Sequence, residues 1–310
     1  MSTVASTYRP PHERSSWLAT LALIVVSAFF FYPFLWMMVS AFKTQDEIYR
    51  PLQFWPEKFG QFEAGPFFGA LFSGNLQTAK EIFLRAFDFQ YYGMLLQNVY
   101  FPFWRVFSNS VVIAFFEALG AVTLTSLAGY GFARHRFAGS KLLFLLAVVV
   151  IVIPQQALVV SLVSWIHQLG LTDRLLGVIL PGVVSGLGVI YFTQVFRQIP
   201  DELVEAARLA GASEFAVYRT LLPLIVSPLL SFGFIHFVLA WHEHLIPMLV
   251  LATESHRTLP MALASLNGSS LRQPQAVIMA ASTLTLLPIT VLFCLVQRRF
   301  RNSLSELLVH

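Results

Sequence analysis

The sequence predicts an all-α, polytopic membrane protein with six transmembrane helices. Its composition is the first sign: of 310 residues, 56% are hydrophobic and 12% charged, with mean hydropathy +0.69. A soluble domain carries about 25% charged residues. Half that density cannot cover a water-facing surface, so the bilayer must solvate much of the chain. The second sign is six apolar segments near the ~20 residues a helix needs to cross the hydrocarbon core. They are Trp17–Phe42, Val106–Phe132, Leu142–Trp165, Leu176–Phe196, Leu221–Trp241 and Ala276–Val296. The third is the lack of barrel-like alternation, which leaves helices as the way to satisfy backbone groups in lipid.

Taken in order, residues 1–16 are polar and carry Arg9, Glu13 and Arg14. The run that follows is uncharged, too long for a signal-peptide core, and lacks a small-residue cleavage pattern after it. It reads as a retained anchor, residues 17–42. Pro154, Pro181, Gly186, Pro228 and Pro288 interrupt later spans, which neighbouring helices in a bundle tolerate. With six spans, both termini share a side. That side holds Arg134, Arg136 and Lys141, then Arg197, Arg208 and Arg219, then Arg298, Arg299 and Arg301, on short segments. Short basic loops stay cytoplasmic, so residues 1–16 and 298–310 are expected there. Residues 43–105 are then an external segment, and 106–297 a core of five spans with a cytoplasmic loop over 198–220. The single cysteine, Cys294, forms no internal disulfide and no Cys-based metal site.

Within the external segment, Leu76, Ala79, Ile82, Phe83, Ala86 and Phe87 recur at helical spacing opposite Gln77, Lys80, Glu81, Arg85 and Asp88. An amphipathic helix over Leu76–Asp88 follows, lying on the membrane or packing on its own complex. Tyr91, Tyr92, Tyr100, Phe101, Phe103 and Trp104 suit an interfacial aromatic belt.

The loop between spans four and five predicts two short helices. Pro200, Asp201 and Glu202 suit a helix start, Gly211 a left-handed stop, and Ser213 the cap of a second helix. Leu203, Ala206, Ala207 and Ala210 fall on one face. By itself this is a tidy hairpin or a docking element. Glu205-Ala206-Ala207, then Gly211, with Leu222-Pro223 beyond, resembles the EAA loop of bacterial ABC importer permeases. Ser40-Ala41-Phe42-Lys43, Asn109-Ser110, Ala128 to Arg134, Leu169-Gly170-Leu171, Ile179-Leu180-Pro181, Arg257-Thr258-Leu259-Pro260 and Gln297 to Phe300 are similar to the maltose-type carbohydrate branch. The chain differs in Trp241-His242-Glu243-His244, where that branch has Trp-Asn followed by an acid, in the long segment 43–105, and in a Gly211-to-Pro223 spacing one residue short.

The resemblance implies the type I ABC importer fold and a permease subunit that moves a carbohydrate across the bacterial cytoplasmic membrane. The alternatives are a polyol or glycerol phosphate permease and an ion-coupled secondary transporter, which would show inverted repeats. It implies as partners a second permease subunit, two ATPase subunits, an extracytoplasmic substrate-binding protein and membrane lipid; nucleic acid is not among them. ATP and Mg would be bound by the ATPase, since this chain has no GxxxxGK[ST] loop and no catalytic constellation, and so is not itself an enzyme. By resemblance, Glu205, Ala206, Ala207, Gly211 and Ser213 couple to the ATPase, and the loop with His256, Asn267, Gly268 and Ser269 approaches the binding protein.

Glu117 is the sole carboxylate deep in a predicted span. Such acids face a cavity or a partner, so Glu117 is either a pore-lining group for sugar hydroxyls or a cationic substrate, or a group hydrogen-bonded to a neighbouring helix or the partner subunit. Gln155 and Gln156, beside Pro154, are a second pore-facing candidate. His242, Glu243 and His244 are adjacent rather than spaced along one helical face, so they read as polar caps at the membrane surface or external contacts, and no metal site is expected.

Overall fold

The computed structural model describes residues 17–50, 53–97, 102–268 and 274–308, except the side chains of residues 155, 267, 268 and 298–308. The chain divides after Phe89 into two units.

The first unit opens with α1, Trp17–Ser40, uncharged and bent around nothing of its own: Trp17 to Leu35 are exposed throughout, as lipid-facing residues should be. Beyond it, α2 (Gln45–Ile48) starts where the Thr44 amide donates to Glu47 Oε2 at 2.7 Å, and Glu47 Oε1 accepts from the Glu57 amide at 3.0 Å. A short 3-10 turn at Glu57–Gln61 leads to a hairpin of α3 (Ala64–Phe72) and α4 (Leu76–Ala86). The sequence predicts no element over α3, because Gly65, Pro66 and Gly69 weaken its helical signal; Pro66 sits in the first turn, where a missing amide costs nothing. The expected amphipathic helix is present as α4, capped by Asn75 accepting from the Thr78 amide at 3.2 Å. Ala79, Ile82, Phe83, Ala86 and Phe87 are covered, but Leu76 is 69% exposed and leaves the predicted stripe. The cover is aromatic and comes from this unit: Phe87 lies 4.6 Å, ring to ring, from both Phe83 and Phe59. Lys58 pairs with Asp88 at the rim.

The second unit comprises α5 (Gln90–Gln97), α6 (Phe103–Arg134), α7 (Ser140–Val152), α8 (Gln155–Gln168), α9 (Leu175–Gly182), α10 (Gly186–Arg197), α11 (Asp201–Leu209), α12 (Glu214–Leu221), α13 (Val226–His242), α14 (Leu245–Val250), α15 (Leu259–Gly268) and α16 (Gln275–Leu308). Helix α6 is the centre: α9, α10, α13 and α15 all pack against it. Among the described residues, four helical runs are long and apolar enough to cross a membrane, and six if each of two broken pairs counts as one span.

Those broken pairs correct the expectation of continuous third and fourth spans. The third breaks between α7 and α8 at Pro154, whose ring excludes the helical hydrogen bond and holds Ile153 extended. The fourth breaks over 183–185 between α9 and α10, with a 46° bend. The fifth runs on from α12 through a 3-10 turn at Leu222–Ile225 that holds Pro223. Packing at the Arg134 end of α6 is a cluster of Tyr130, Phe192, Phe196, Val217, Tyr218 and Leu221. A second cluster, with Ile113, Ile166, Val178, Ile246 and Val250, lies toward the other end.

Phe87→Ala should open the aromatic cover of the first unit. We expect about 2–4 kcal/mol lost there, a half-covered ring sitting at the low side of the usual aromatic truncation cost. Limited proteolysis of membranes should show faster cleavage within 53–89 and unchanged cleavage of the second unit.

Candidate functional site

The loop over 198–220 forms the two predicted helices. Helix α11 starts after Pro200 with Asp201 and Glu202 in its first turn, favourable at the positive end of the dipole. It ends in a left-handed turn: Gly211 has φ +80°, its amide donates to Arg208 O at 2.9 Å, and the Ala212 amide donates to Ala207 O at 3.1 Å. Ser213 Oγ then accepts from the Ala216 amide at 3.3 Å and caps α12.

The buried face of α11 differs from the predicted one. Val204 is 2% exposed and Ala207 half-buried, whereas Leu203, Ala206, Leu209 and Ala210 are exposed. Helix α11 has apolar residues on two sides, and the Phe196–Val217 cluster takes the Val204 side. Away from that cluster, Leu203, Leu209 and, from α12, Phe215 are exposed, and Glu205 of the same helix is exposed too. Glu205 has no hydrogen bond or ion pair among the described residues.

Two polar clusters root this hairpin in α6. Arg134, at the last turn of α6, donates to Phe196 O at 2.6 Å and to Ile199 O, and pairs with Asp201. Its side chain is 8% exposed, so it supplies donors to carbonyls at the end of α10 that water cannot reach easily. Glu214, at the start of α12, accepts from Tyr130 Oη at 2.8 Å and from Arg208 Nε and Nη2 at 2.9 and 3.2 Å, with His135 at 3.3 Å. One turn in, Ser126 Oγ and Tyr218 Oη lie 2.8 Å apart. Sequence reasoning missed Arg134 and Glu214 as positioning residues, although Arg134 closes a quoted motif.

At the Phe103 end of α6, another loop is tied down. Asn109 Nδ2 donates to Ser255 O and Arg257 O at 2.9 and 3.0 Å, and Ser110 Oγ accepts from the Leu259 amide at 2.8 Å. Asp173, at φ 57°, receives the Ala252 and Thr253 amides at 2.9 Å each and the Thr253 hydroxyl. His256 Nδ1 lies 3.2 Å from the same carboxylate. The Thr253 hydroxyl and amide, foremost among these donors, hold the Asp173 carboxyl well below the usual range. Asn267 and Gly268 belong to the last turn of α15 rather than a free tip; their side chains, and Ser269 and Ser270 altogether, lie outside the described residues.

Glu117 sits near the middle of α6, 6% exposed, with its carboxyl against Gly182 at the end of α9. A Cβ on Gly182 would collide with the Glu117 carboxyl. His236 of α13 donates from Nε2 to Gly182 O at 2.9 Å. Gln156 lines a cavity of about 430 Å3 with Leu239, His242, Glu243, His244 and Leu245. The side chain of Gln155 lies outside the described residues. His242 donates from Nδ1 to Val238 O at 2.8 Å, and Glu243 Oε1 accepts from the Leu245 amide at 2.7 Å, so both finish local helix ends.

A model of the binding-protein-dependent transport system inner membrane component family matches residues 121–306, which include the whole of the hairpin. The chain belongs to that family. It is therefore a membrane-spanning permease subunit of an ABC importer. The arabinooligosaccharides transport system permease protein AraQ of Halalkalibacterium halodurans is 31% identical over 204 residues, covering 66% of this chain and 73% of AraQ. The sn-glycerol-3-phosphate transport system permease protein UgpE of Shigella flexneri is 32% identical over 208 residues, covering 66% and 74%. A crystal structure of a bacterial ABC transporter involved in the import of the acidic polysaccharide alginate superposes with TM-score 0.73 at 17% identity, covering 94% of the permease and all of its counterpart. That likeness confirms the all-helical importer fold.

Arg134→Ala should strand the carbonyls of Phe196 and Ile199. At about 1–3 kcal/mol for each unsatisfied buried group, we expect the extracted protein to melt several degrees lower, with Arg134→Lys recovering only part because it lacks the fork. At the opposite end, Asp173 titrates below its unfolded value of 3.8. Its contribution is complete above the ordinary carboxylate range and is lost only as pH falls through the lower folded value. Exchange protection of the Ala252 and Thr253 amides should persist through pH 4, and Asp173→Ala should abolish it at neutral pH.

Proposed function

We propose that this permease carries a carbohydrate inward by coupling to a separate ATPase through the α11–α12 hairpin. What carries the reading is the hairpin's two-sidedness. Its inner side is fixed to α6 by Arg134 and Glu214, while its outer side leaves Leu203, Leu209, Phe215 and unpaired Glu205 open to a partner. Exposed apolar groups ringed by charge are what a docking surface offers.

In this reading the Arg134 end of α6 and both termini face the cytoplasm, where ATP and Mg bind to two ATPase subunits. A second permease subunit completes the pathway. The loop held by Asp173, Asn109 and Ser110 faces the extracytoplasmic binding protein, with His256 and the Asn267–Ser269 stretch as its contacts. Its firm anchoring supports that role, since a docking loop that is already ordered loses less entropy on binding. The names of the relatives leave two solute classes open: neutral oligosaccharide, as for AraQ, and phosphate ester, as for UgpE.

Glu205→Lys should reverse the charge on the docking face, and Gly211→Pro cannot hold φ +80°. Both variants should reach the membrane yet fail to retain the ATPase on copurification and lose at least about tenfold in uptake, the cost of one charged interface contact. Normal uptake with normal ATPase retention in both would sink the assignment.

A further inference from the structure

Helix α3 packs by one side only. Toward α4 it buries Ala70 and half-buries Phe67, whose ring lies 5.3 Å from Phe62 and 6.3 Å from Phe83. The residues at i, i+4, i+7 and i+8 from Ala64 share another side. These are Ala64, Phe68, Leu71 and Phe72, all exposed, Phe72 by 88%. Leu76, exposed at the start of α4, follows across the turn. Residues 64–79 carry no charged side chain at all; the charges begin with Lys80 and Glu81. The stripe of α4 around Phe83 and Phe87 is covered within the unit, so the apolar face left open belongs to α3.

Ring contacts tie this hairpin back to the exposed span α1. Phe67 meets Phe83, and Phe83 and Phe59 each meet Phe87 at 4.6 Å. Trp55 lies 5.8 Å from Phe59 and 5.0 Å from Phe54, and Phe54 lies 5.8 Å from Tyr32 of α1. Tyr32 is eight residues before Ser40, about 12 Å at 1.5 Å per residue. The chain beyond α1 therefore folds back along the span instead of standing off from it. A span of 24 residues is about 36 Å long against ~30 Å of hydrocarbon, so a ring about 12 Å in lies within the leaflet. We propose that the α3 face of Ala64, Phe68, Leu71 and Phe72, with Leu76, is a second membrane attachment: it lies in the leaflet at the Ser40 end of α1, against phospholipid acyl chains.

The chemistry of the face selects lipid over protein. Its side chains offer no donor, acceptor or charge, whereas a protein interface carries a polar rim. A helix satisfies its own backbone in lipid, and Pro66 in the first turn leaves one fewer amide to satisfy. Trp55 and Tyr49, both exposed in the same unit, are the residue types that sit at headgroup level. An interfacial helix buries its apolar face at the headgroup–acyl boundary, and with no basic residue on this face the attachment does not depend on anionic lipid. Two attachments on one unit restrict its rotation about α1. The inference is independent of the solute and of the ATPase, so its failure leaves the transport reading untouched.

The test places nitroxide labels at Phe72→Cys, Leu76→Cys and, on the charged side of α4, Arg85→Cys, one at a time with Cys294→Ala. All three sites are exposed, so no packed ring is displaced. The complete transporter, with cysteine-free partner subunits, is reconstituted in liposomes of phosphatidylethanolamine and phosphatidylglycerol. Paramagnetic relaxation by oxygen, which concentrates in hydrocarbon, is compared with relaxation by a water-soluble nickel chelate. The oxygen-to-chelate ratio should be severalfold higher at 72 and 76 than at 85. Chelate access at 72 and 76 equal to that at 85 puts the face in water and overturns the proposal. Access by neither reagent means that protein covers the face, from another subunit or the second unit, and overturns it equally. Adding Phe68→Ser and Phe72→Ser should then bring the label at 76 to the ratio found at 85; a ratio that stays high there also counts against the attachment.

Discussion

In hydrocarbon each backbone amide and carbonyl must find its partner within the protein, and this requirement organises the second unit. The long helix α6 meets it alone along its whole length. The spans around it do not, because Pro154 and residues 183–185 interrupt them. Side chains then finish what the ladder leaves open. His236 serves Gly182 O, Ser185 Oγ accepts from the Gly188 amide at 3.2 Å, and Arg134 serves Phe196 O and Ile199 O. Two of these three are polar side chains reaching across to another helix, so satisfying the backbone also fixes the packing.

Arg134 shows how the same contacts bear on function. Its guanidinium ends α10 and holds the first residue of α11 in one gesture, joining the hairpin to α6. Glu214 repeats the connection from α12 through Tyr130. At the far end of α6, Asn109 and Ser110 grip the loop over 255–259. A helix of 32 residues is about 48 Å long at 1.5 Å per residue, enough to span the bilayer. One stiff element thus contacts the loops at both ends, with Glu117 near its middle. Such an element can bias two faces of a membrane together when both loops have two arrangements.

The hairpin's inner and outer sides illustrate why tertiary structure decides docking. Leu203, Ala206 and Ala210 satisfy helical periodicity as well as Val204 and Ala207 do. Burial goes to Val204 because Phe196 and Val217 offer it a shaped partner, and the other side is left for a second protein. The same competition removes Leu76 from the covered stripe of α4, where Phe59 and Phe83 surround Phe87 instead.

The sequence by itself determined the all-helical membrane class, the two helices of the loop over 198–220, and their left-handed stop at Gly211. Each depends on local quantities: apolar length against bilayer thickness, capping chemistry, and the φ +80° that glycine adopts without strain. The sequence also marked Glu117, since an acid in an apolar run is conspicuous without any structure. Only the tertiary structure decided that Glu117 meets Gly182, that Asp173 holds a loop some 80 residues away at Thr253, and that Arg134 and Glu214 anchor the hairpin. These pairings join residues far apart in the chain on different helices, and helical periodicity leaves the rotation of each helix about its axis undetermined until its neighbours are in place.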